Sequence, residues 1–398
     1  MASFMDSLEA APPDPLLGLM LAAREDQRPD KVDLGVGIYK NDAGATPVLA
    51  SVKEAERRLI ETEGSKAYEG PQGNAAYGQL IGEMIVGELT DRHAMFATPG
   101  GCGALFIGFQ LAKMMSPGAR MFLSDPSWPN HNGVAAALDI PTVSFPYRAT
   151  TDGSPDFGAM VGGLDGAKAG DILLLQGYCH NPTGTDLSPA QWEELSRIIL
   201  EKGLIPFIDV AYQGFAVGLE EDILPIRKFL AAVPEAILSY SCSKNFGLYR
   251  ERTGALLIQA PSAGALDSAR SRTAAAVRAS YSMPPSHGPA IVATILADDG
   301  LRSQWTEELG EMRQRLGDLR RGFASELVRA TNNGGLEVIE RQNGMFSILP
   351  LTADRAVDLR KEQGIYLPGS GRINVAGLPS DRLPEIAQKI APYLNQAG

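Results

Sequence analysis

Short, continuous apolar runs alternate with helical patterns between residues 90 and 260. The runs are four to six residues long, which suits strands better than helices. A run that is apolar throughout predicts a strand covered on both faces, and intervening helices predict parallel neighbours. We therefore predict an α/β domain with a mostly parallel sheet. Its predicted strands are 93–97, 119–124, 171–176, 204–208, 236–240 and 255–258.

Helix signals occur between and before these runs. Ser188-Pro189-Ala190-Gln191 is a capping box with proline at the first helical position, and Asp14-Pro15 also pairs a capping residue with proline. The sequence predicts helices over 14–27, 48–63, 74–89, 104–115 and 188–202.

After residue 260 longer helical patterns dominate. The long pattern over 300–329 mixes arginines with acids, which predicts a solvated face for Arg302, Arg313, Arg315, Arg320 and Arg321. The predicted helices are 262–278, 286–298, 300–329, 352–363 and 381–395, and the predicted strands are 336–339 and 345–349.

The N-terminal segment is expected to join this second, smaller α+β unit. Pro12-Pro13 precludes a helix, so residues 1–13 are predicted to be an extended arm, followed by a short strand within 32–39. The predicted domains are 1–45 (arm and part of the small domain), 46–310 (large domain) and 311–398 (small C-terminal domain).

Composition narrows the function classes. The 398 residues carry a net charge of −11, which argues against nucleic acid or an anionic membrane as the main partner. No apolar run approaches the ~18 residues of a membrane helix, and the N-terminus does not resemble a secretory signal. The three cysteines, Cys102, Cys179 and Cys242, are odd in number and lack metal-binding spacing. We therefore expect a reduced cytoplasmic protein without a metal site.

Polar groups are predicted at the carboxyl ends of the strands, where α/β sheets bind ligands. The glycine-bearing loop after residue 34, with Gly37, allows a ligand to approach the backbone. The groups expected at this rim are Gly100-Gly101, Trp128, Asn181, Asp209 and Lys244.

Their chemistry points to one cofactor. Backbone N–H groups of Gly100-Gly101-Cys102 at a helix start, with Ser241, Ser243 and Arg252, form a candidate phosphate site. Asp209 needs a cation such as a protonated pyridine nitrogen, Tyr212 is placed to reach a phenolic oxygen, and Trp128 to cover a flat ring. With Lys244 nearby, this set fits pyridoxal phosphate held as a Schiff base.

Four motifs then resemble one family. The segments 181–184 (Asn-Pro-Thr-Gly), 209–215, 241–252 and 372–377 occur in the order seen in class I aminotransferases, in particular the aspartate and aromatic amino acid branch. The resemblance extends over nearly the whole chain. It implies the type I pyridoxal-phosphate transferase fold, with a seven-stranded, mostly parallel sheet in the large, cofactor-binding domain. It also implies amino acid and 2-oxo acid substrates, ping-pong transamination and a homodimer with shared active sites.

The resemblance also implies cofactor contacts. Lys244 resembles the Schiff-base lysine that moves the substrate proton, Asp209 the partner of the ring nitrogen, and Trp128 the stacked ring. Asn181 and Tyr212 resemble the pair that binds the phenolic oxygen. The implied phosphate contacts are Gly101, Cys102, Ser241, Ser243 and Arg252, with Tyr68 from the neighbouring subunit.

Substrate contacts follow in the same way. Arg372 resembles the bidentate clamp on the α-carboxylate. Arg278 of the neighbouring subunit is similar to the arginine that pairs with a distal carboxylate. Gly37, Trp128, Asn181 and Asn130 are the further substrate-side residues implied.

Three positions depart from the family pattern. Cys102 stands where a threonine or serine is expected, Met283 where the aspartate-specific branch has asparagine, and Gln176 where histidine is expected. Met283, with Ile38 and Ala67, predicts a less polar substrate site. We therefore expect dual use of dicarboxylic and aromatic substrates.

Several alternatives remain open from the sequence. They are a strict aspartate aminotransferase, a β-lyase or decarboxylase on the same fold, and a transcription regulator with an aminotransferase-like domain, which the net charge of −11 disfavours. His131 and His180 are either ordinary loop histidines or support for Asp209.

Overall fold

The computed structural model describes residues 5–10 and 15–394. Its strands are β1 (Val32–Asp33), β2 (His93–Pro99), β3 (Met121–Asp125), β4 (Thr142–Pro146), β5 (Ile172–Gln176), β6 (Ile205–Val210), β7 (Ala236–Ser241), β8 (Thr253–Gln259), β9 (Phe346–Ile348), β10 (Ile365–Tyr366) and β11 (Arg372–Asn374).

The helices lie mainly between these strands. They are α1 (Pro15–Glu25), α2 (Ala50–Thr62), α3 (Ala75–Val86), α4 (Gly100–Met115), α5 (Pro129–Ala137), α6 (Phe157–Gly162), α7 (Pro189–Lys202), α8 (Leu219–Ala232), α9 (Ala263–Ser280), α10 (His287–Ala297), α11 (Asp299–Thr331), α12 (Val338–Arg341), α13 (Ala353–Gln363) and α14 (Leu383–Ile390).

The large sheet has seven strands in the order β2-β8-β7-β6-β5-β3-β4. Only β8 runs against its neighbours, pairing antiparallel with β2 and β7, while the other adjacent pairs are parallel. The predicted α/β class and the mostly parallel sheet are therefore confirmed.

The continuous apolar runs reflect two cores, one on each face of this sheet. In β5, Leu173 and Leu175 pack in one cluster, whereas Ile172 and Leu174 pack in the other. Successive strand residues point to opposite faces, so a strand between two cores must be apolar at every position.

A smaller unit is built around the long helix α11 and the C-terminal helix α14. It contains two two-stranded sheets: β1 pairs parallel with β10, and β9 pairs antiparallel with β11. The N-terminal strand thus joins the C-terminal unit. The domain limits at residues 45 and 310 stay predictions.

Several predicted elements were wrong. Residues 336–339 form a 3₁₀ turn and the start of α12 rather than a strand, because Leu336 and Ile339, three positions apart, are the buried pair. The strand expected within 32–39 is limited to Val32–Asp33. Met5–Ser7 form an exposed 3₁₀ turn within the predicted arm, whereas residues 1–4 and 11–13 of the arm, and the predicted capping residue Asp14, lie outside the described residues.

Arg320 also contradicts its predicted solvated position. Its side chain is buried, and the guanidinium donates to the carbonyl oxygens of Ile339, Asn343, Gly344 and Phe346. The acidic residues on α11 suggested that all its arginines face solvent, but the 339–347 segment covers one face of the helix. Among the described helices, none is both long enough and apolar enough to cross a membrane.

Candidate active site

A cavity of about 260 Å³ opens at the carboxyl ends of β5, β6 and β7. Three polar residues form one row across these strands, because Gln176 is paired with Asp209 and Asp209 with Ser239. Twelve of the predicted site residues line the cavity: Gly37, Gly101, Cys102, Trp128, Asn181, Asp209, Tyr212, Ser241, Ser243, Lys244, Arg252 and Arg372.

Lys244 lies in the turn that follows β7. The turn is closed by the Gly247 N–H, which donates to the Lys244 carbonyl, and Trp305 Nε1 donates to the Asn245 carbonyl at 2.7 Å. Lys244 Nζ lies 5.0 Å from the centre of the Tyr212 ring. Burial lowers the pKa of the Lys244 amine, with a smaller opposing effect of Asp209. The local structure therefore favours a neutral amine facing the cavity.

Asp209 is held by two donors near the end of β6. Ser239 Oγ donates to Oδ1 at 2.7 Å, and His131 Nε2 lies 3.0 Å from Oδ2. Since an ionised carboxylate only accepts hydrogen bonds, His131 presents an N–H to it. Ser127 Oγ lies 2.9 Å from His131 Nδ1 and fixes the other side of the ring.

The sequence left the roles of His131 and His180 undecided, and of these two only His131 contacts Asp209. His180 instead bonds Ser124 and Thr183 and stacks on Tyr147, with ring centres 4.2 Å apart. Burial lowers the pKa of His180 to about 3, so this side chain is neutral. His180 therefore supports the loop that precedes Asn181 rather than the carboxylate.

The opposite end of the cavity suits a phosphate group. α4 begins at Gly100, and the N–H groups of its first turn have no partner within the helix. A side chain on Gly100, at φ +69°, would lie 2.5 Å from Arg252 Nη2, and one on Gly101 would lie 3.1 Å from Ser241 Cβ. Glycine thus allows the helix start, an arginine and a serine hydroxyl to converge. This donor set, which contains no acid, fits a doubly charged anion.

Arg372 approaches from β11 on the third side. Its Nη2 donates to the Gly35 carbonyl at 2.6 Å, its Nη1 to Asn181 Oδ1 at 3.4 Å, and its guanidinium lies 4.6 Å from the Phe346 ring centre. Arg372 Nε is buried and has no hydrogen-bond partner among the described residues. Burial lowers the pKa of Arg372. A carboxylate ligand would satisfy this arginine.

Three predicted residues lie away from this cavity. Tyr68 is 91% exposed, and Arg278 is an exposed residue bonded to Ser282. Asn130 does not line the cavity but donates to Cys102 Sγ at 3.5 Å. Ile38, Ala67 and Met283 are not among the lining residues either.

Sequence reasoning missed other functional candidates. Ser239 contacts Asp209, Phe346 supports Arg372, and Tyr249 lines the cavity while its hydroxyl accepts from the Tyr39 N–H. Gln176 was singled out only as a departure from the family pattern. The missing signal was strand register, since placing Ser239 beside Asp209 requires knowing that β6 and β7 pair in that register.

Comparisons with known proteins agree with this geometry. The family model described as aminotransferase class I and II matches residues 29–390. The chain is 47% identical to a tyrosine aminotransferase of Rhizobium meliloti (strain 1021), covering 96% of this chain and 98% of that protein. It is 43% identical to an aspartate aminotransferase of Escherichia coli (strain K12), covering 98% and 100%.

A solved structure shares the architecture. It is an aromatic-amino-acid aminotransferase from Burkholderia pseudomallei covalently bound to pyridoxal phosphate, with a TM-score of 0.95 and 38% identity. The match covers 99% of this chain and all of that one. The family predicted from the four motifs is thereby confirmed: the chain belongs to the class I and II aminotransferases.

Proposed function

We propose that the cavity binds pyridoxal phosphate and that the chain transfers amino groups between amino acids and 2-oxo acids. The convergence of Lys244, Asp209 and Arg252 at three points of one cavity carries this proposal. In it, Lys244 bonds the cofactor covalently, Asp209 accepts from the ring nitrogen, and Trp128 covers the ring. The proposed phosphate contacts are Gly101, Cys102, Ser241, Ser243 and Arg252.

When bound, pyridoxal phosphate supplies an electron-withdrawing ring that makes the Cα–H bond of an attached amino acid more acidic. Lys244 Nζ acts as the base that takes up the Cα proton and then returns it as an acid. This role requires a neutral amine, which burial of Lys244 favours. Ser239 and His131 both donate to Asp209 and so fix the direction in which its carboxylate would meet the ring nitrogen.

Asn181 and Tyr212 are proposed to donate to the phenolic oxygen. Burial raises the pKa of the Tyr212 hydroxyl, so it keeps its hydrogen and remains a donor. Arg372 binds the substrate α-carboxylate, for which the unpartnered Nε offers a further donor. Gly37, Asn130 and Trp128 complete the proposed substrate side.

The proposed substrates are aspartate, glutamate and the aromatic amino acids, with 2-oxoglutarate as an amino acceptor. The apolar side chains of Leu16 and Phe346 line the cavity and can contact an aromatic ring. The relatives named above include both a tyrosine and an aspartate aminotransferase at more than 40% identity.

A homodimer belongs to the same proposal. Tyr68 and Arg278 lie outside this chain's own cavity, and we propose that each completes the site of a partner subunit. Tyr68 would contact the phosphate, and Arg278 would pair with a distal carboxylate. A cytoplasmic location is also proposed, in keeping with three unpaired cysteines.

A half-reaction panel tests the proposal. The absorbance of the cofactor-loaded protein is followed with aspartate, glutamate, phenylalanine, tyrosine and leucine, one amino acid at a time. Dual specificity predicts conversion to the amine form of the cofactor by both dicarboxylic and aromatic amino acids. A kcat/KM for phenylalanine and tyrosine roughly a thousandfold below that for aspartate would instead indicate a strict aspartate aminotransferase. Consumption of amino acid without the amine form would indicate a β-lyase or decarboxylase.

A further inference from the structure

We propose that Gln176 is a positioning residue that fixes Asn181 and, through it, the contact between Asn181 and Arg372. The proposal rests on the function proposed above, because it assigns Gln176 a role toward the same cofactor and substrate. Gln176 stands where the family pattern has histidine, so the resemblance implies no role for it, and its contacts carry the argument.

The side-chain amide of Gln176 pairs with both main-chain groups of Asn181. Gln176 Nε2 donates to the Asn181 carbonyl at 3.0 Å, and the Asn181 N–H donates to Gln176 Oε1 at 2.9 Å. Among the described residues, neither main-chain group of Asn181 has another hydrogen-bond partner. Gln176 is therefore what determines the orientation of the Asn181 backbone.

A primary amide is suited to this task because it can donate and accept at the same time. A neutral histidine also has one donor and one acceptor, but its two ring nitrogens point away from each other. The ring therefore cannot bond the N–H and the C=O of one residue at the same time. The glutamine thus makes a paired contact that the expected histidine would not make.

The backbone of Gln176 is held in place by the large sheet. It is the last residue of β5 and is paired in register with Asp209 on β6. The neighbouring Gly177 N–H donates to the Asp209 carbonyl at 2.8 Å. The sheet position that presents Asp209 to the cavity therefore also sets the position of Asn181, and supporting contacts of this kind keep a site in its productive geometry.

The effect extends to the substrate side. Asn181 is buried, and its Oδ1 accepts from Arg372 Nη1 at 3.4 Å. The second Arg372 contact, from Nη2 to the Gly35 carbonyl, comes from the N-terminal segment. Without Gln176 the Asn181 side chain would lose its fixed direction, and both its cofactor contact and its Arg372 contact would weaken.

The test compares Gln176→Met, Asn181→Ala and the double variant. Methionine has nearly the same length but makes neither hydrogen bond. Gln191→Met is the matched control, because the Gln191 side chain also bonds the main chain, at Ser188, but lies on α7 away from the cavity. Gln176→His retains at most one of the two bonds and serves as a milder second variant.

Two readouts separate positioning from general stability. The first is the pH titration of the absorbance of the cofactor-loaded protein, which reports the proton at the Lys244 nitrogen. Losing the Asn181 donor leaves more negative charge on the phenolic oxygen, which attracts that proton, so the titration midpoint should rise by about half to one unit. The second is the Kd for succinate, a dicarboxylate without an amino group, which should rise roughly fivefold to tenfold.

The expected result is that Gln176→Met and Asn181→Ala shift both readouts alike, with the double variant no worse than Asn181→Ala. Gln176→His should fall between the wild type and Gln176→Met, and Gln191→Met should match the wild type. A wild-type titration for both Gln176 variants, or additive shifts in the double variant, would overturn the positioning role. If Gln176→Met does not fold, Gln176→His decides. A wild-type protein that neither binds pyridoxal phosphate nor completes a half-reaction would instead refute the proposed function.

Discussion

Asp209 and Lys244 lie on or just after strands of a seven-stranded sheet, whereas Arg372 and Phe346 belong to a two-stranded sheet of three-residue strands. Asp209 has both carboxylate oxygens bonded within the protein. Arg372, by contrast, has a buried Nε without a partner among the described residues.

This difference separates the proposed cofactor side, whose hydrogen bonds at Asp209 are complete, from the proposed substrate side, where Arg372 lacks a partner. A buried donor without a partner costs about 1–3 kcal/mol, so the substrate side gains when a carboxylate arrives. The cofactor side has no comparable deficit at Asp209. Substitutions on the two sides should accordingly affect different measurements, cofactor chemistry on the one side and carboxylate affinity on the other.

The largest effect is expected for Lys244→Ala. Among the described residues Lys244 is the only lysine that lines the cavity, and its removal takes away the proposed covalent anchor and base, so kcat should fall by at least about 10⁴-fold. Steady-state turnover of aspartate with 2-oxoglutarate measures it. Lys53→Ala, which alters an exposed lysine on α2, is the control and should keep full activity. Substantial residual turnover in Lys244→Ala would refute the mechanism.

Arg372→Lys should have the next largest effect. Lysine keeps the charge but cannot bind a carboxylate through two parallel hydrogen bonds, so kcat/KM should fall roughly 10²- to 10³-fold. The loss should be similar for aspartate and phenylalanine, because both carry the α-carboxylate, while the cofactor absorbance of the resting protein stays unchanged. Arg341→Lys, an exposed arginine bonded to the Thr151 carbonyl, is the matched control. A loss confined to aspartate would place Arg372 on the distal carboxylate instead.

The sequence was most informative where local pattern and chemistry coincide. Asp209 ends an apolar run and Lys244 follows one, so the sheet model alone brought them to one rim. The residue types at that rim indicated the cofactor, and the family resemblance added the substrate contacts and the residues expected from a neighbouring subunit. The strand predicted at 336–339 was wrong because a stretch of four residues is too short to show whether its apolar positions repeat every two residues, as in a strand, or every three to four, as in a helix.

Long-range packing accounts for the other failures. Ser239 could not be assigned to Asp209 without the register of β6 and β7. Arg320 was assigned to solvent because its helix is rich in charge, but the chain that buries it lies about twenty residues further along. Neither fact is written in the local sequence.

Arg320 offers a sharper test of the substrate side. It holds the segment that carries Phe346, on which the Arg372 guanidinium lies. Arg320→Met would leave several buried carbonyl groups unpaired, and we expect a loss of about 3–5 kcal/mol in the free energy of unfolding. The affinity for succinate should fall roughly tenfold if the Phe346 segment shifts, whereas cofactor affinity should not change.

The adjacent arginine is the control for Arg320. Arg321 is exposed and, within the described part of the chain, pairs only with Asp318, so Arg321→Met should cost no more than about 1 kcal/mol. Denaturant unfolding and succinate titration measure both variants. If Arg320→Met is too unstable to purify, Arg320→Lys keeps the charge with fewer donors and should show a smaller change in the same direction. If a folded Arg320 variant binds succinate as tightly as the wild type, the contacts of Arg320 have no effect on carboxylate binding by Arg372.

The smallest effect is expected at the contact between the two sides, where Asp186 accepts from the His180 N–H and from Asn343 Nδ2. Burial raises the pKa of Asp186 to about 6, so between pH 4 and 6 the unfolded chain loses this proton while the folded chain keeps it. The folded state therefore becomes less stable as the pH rises through this window, and Asp186→Asn, which has no such proton, escapes the loss.

Relative to wild type, the free energy of unfolding of Asp186→Asn should increase by about 1–3 kcal/mol from pH 4 to pH 6 and stay level above pH 7. Urea unfolding at each pH measures the difference, and Asp354→Asn, at an exposed position in the first turn of α13, is the control variant. A difference that does not change with pH would mean that Asp186 is ionised in the folded protein at pH 5, and that its two donors outweigh its burial.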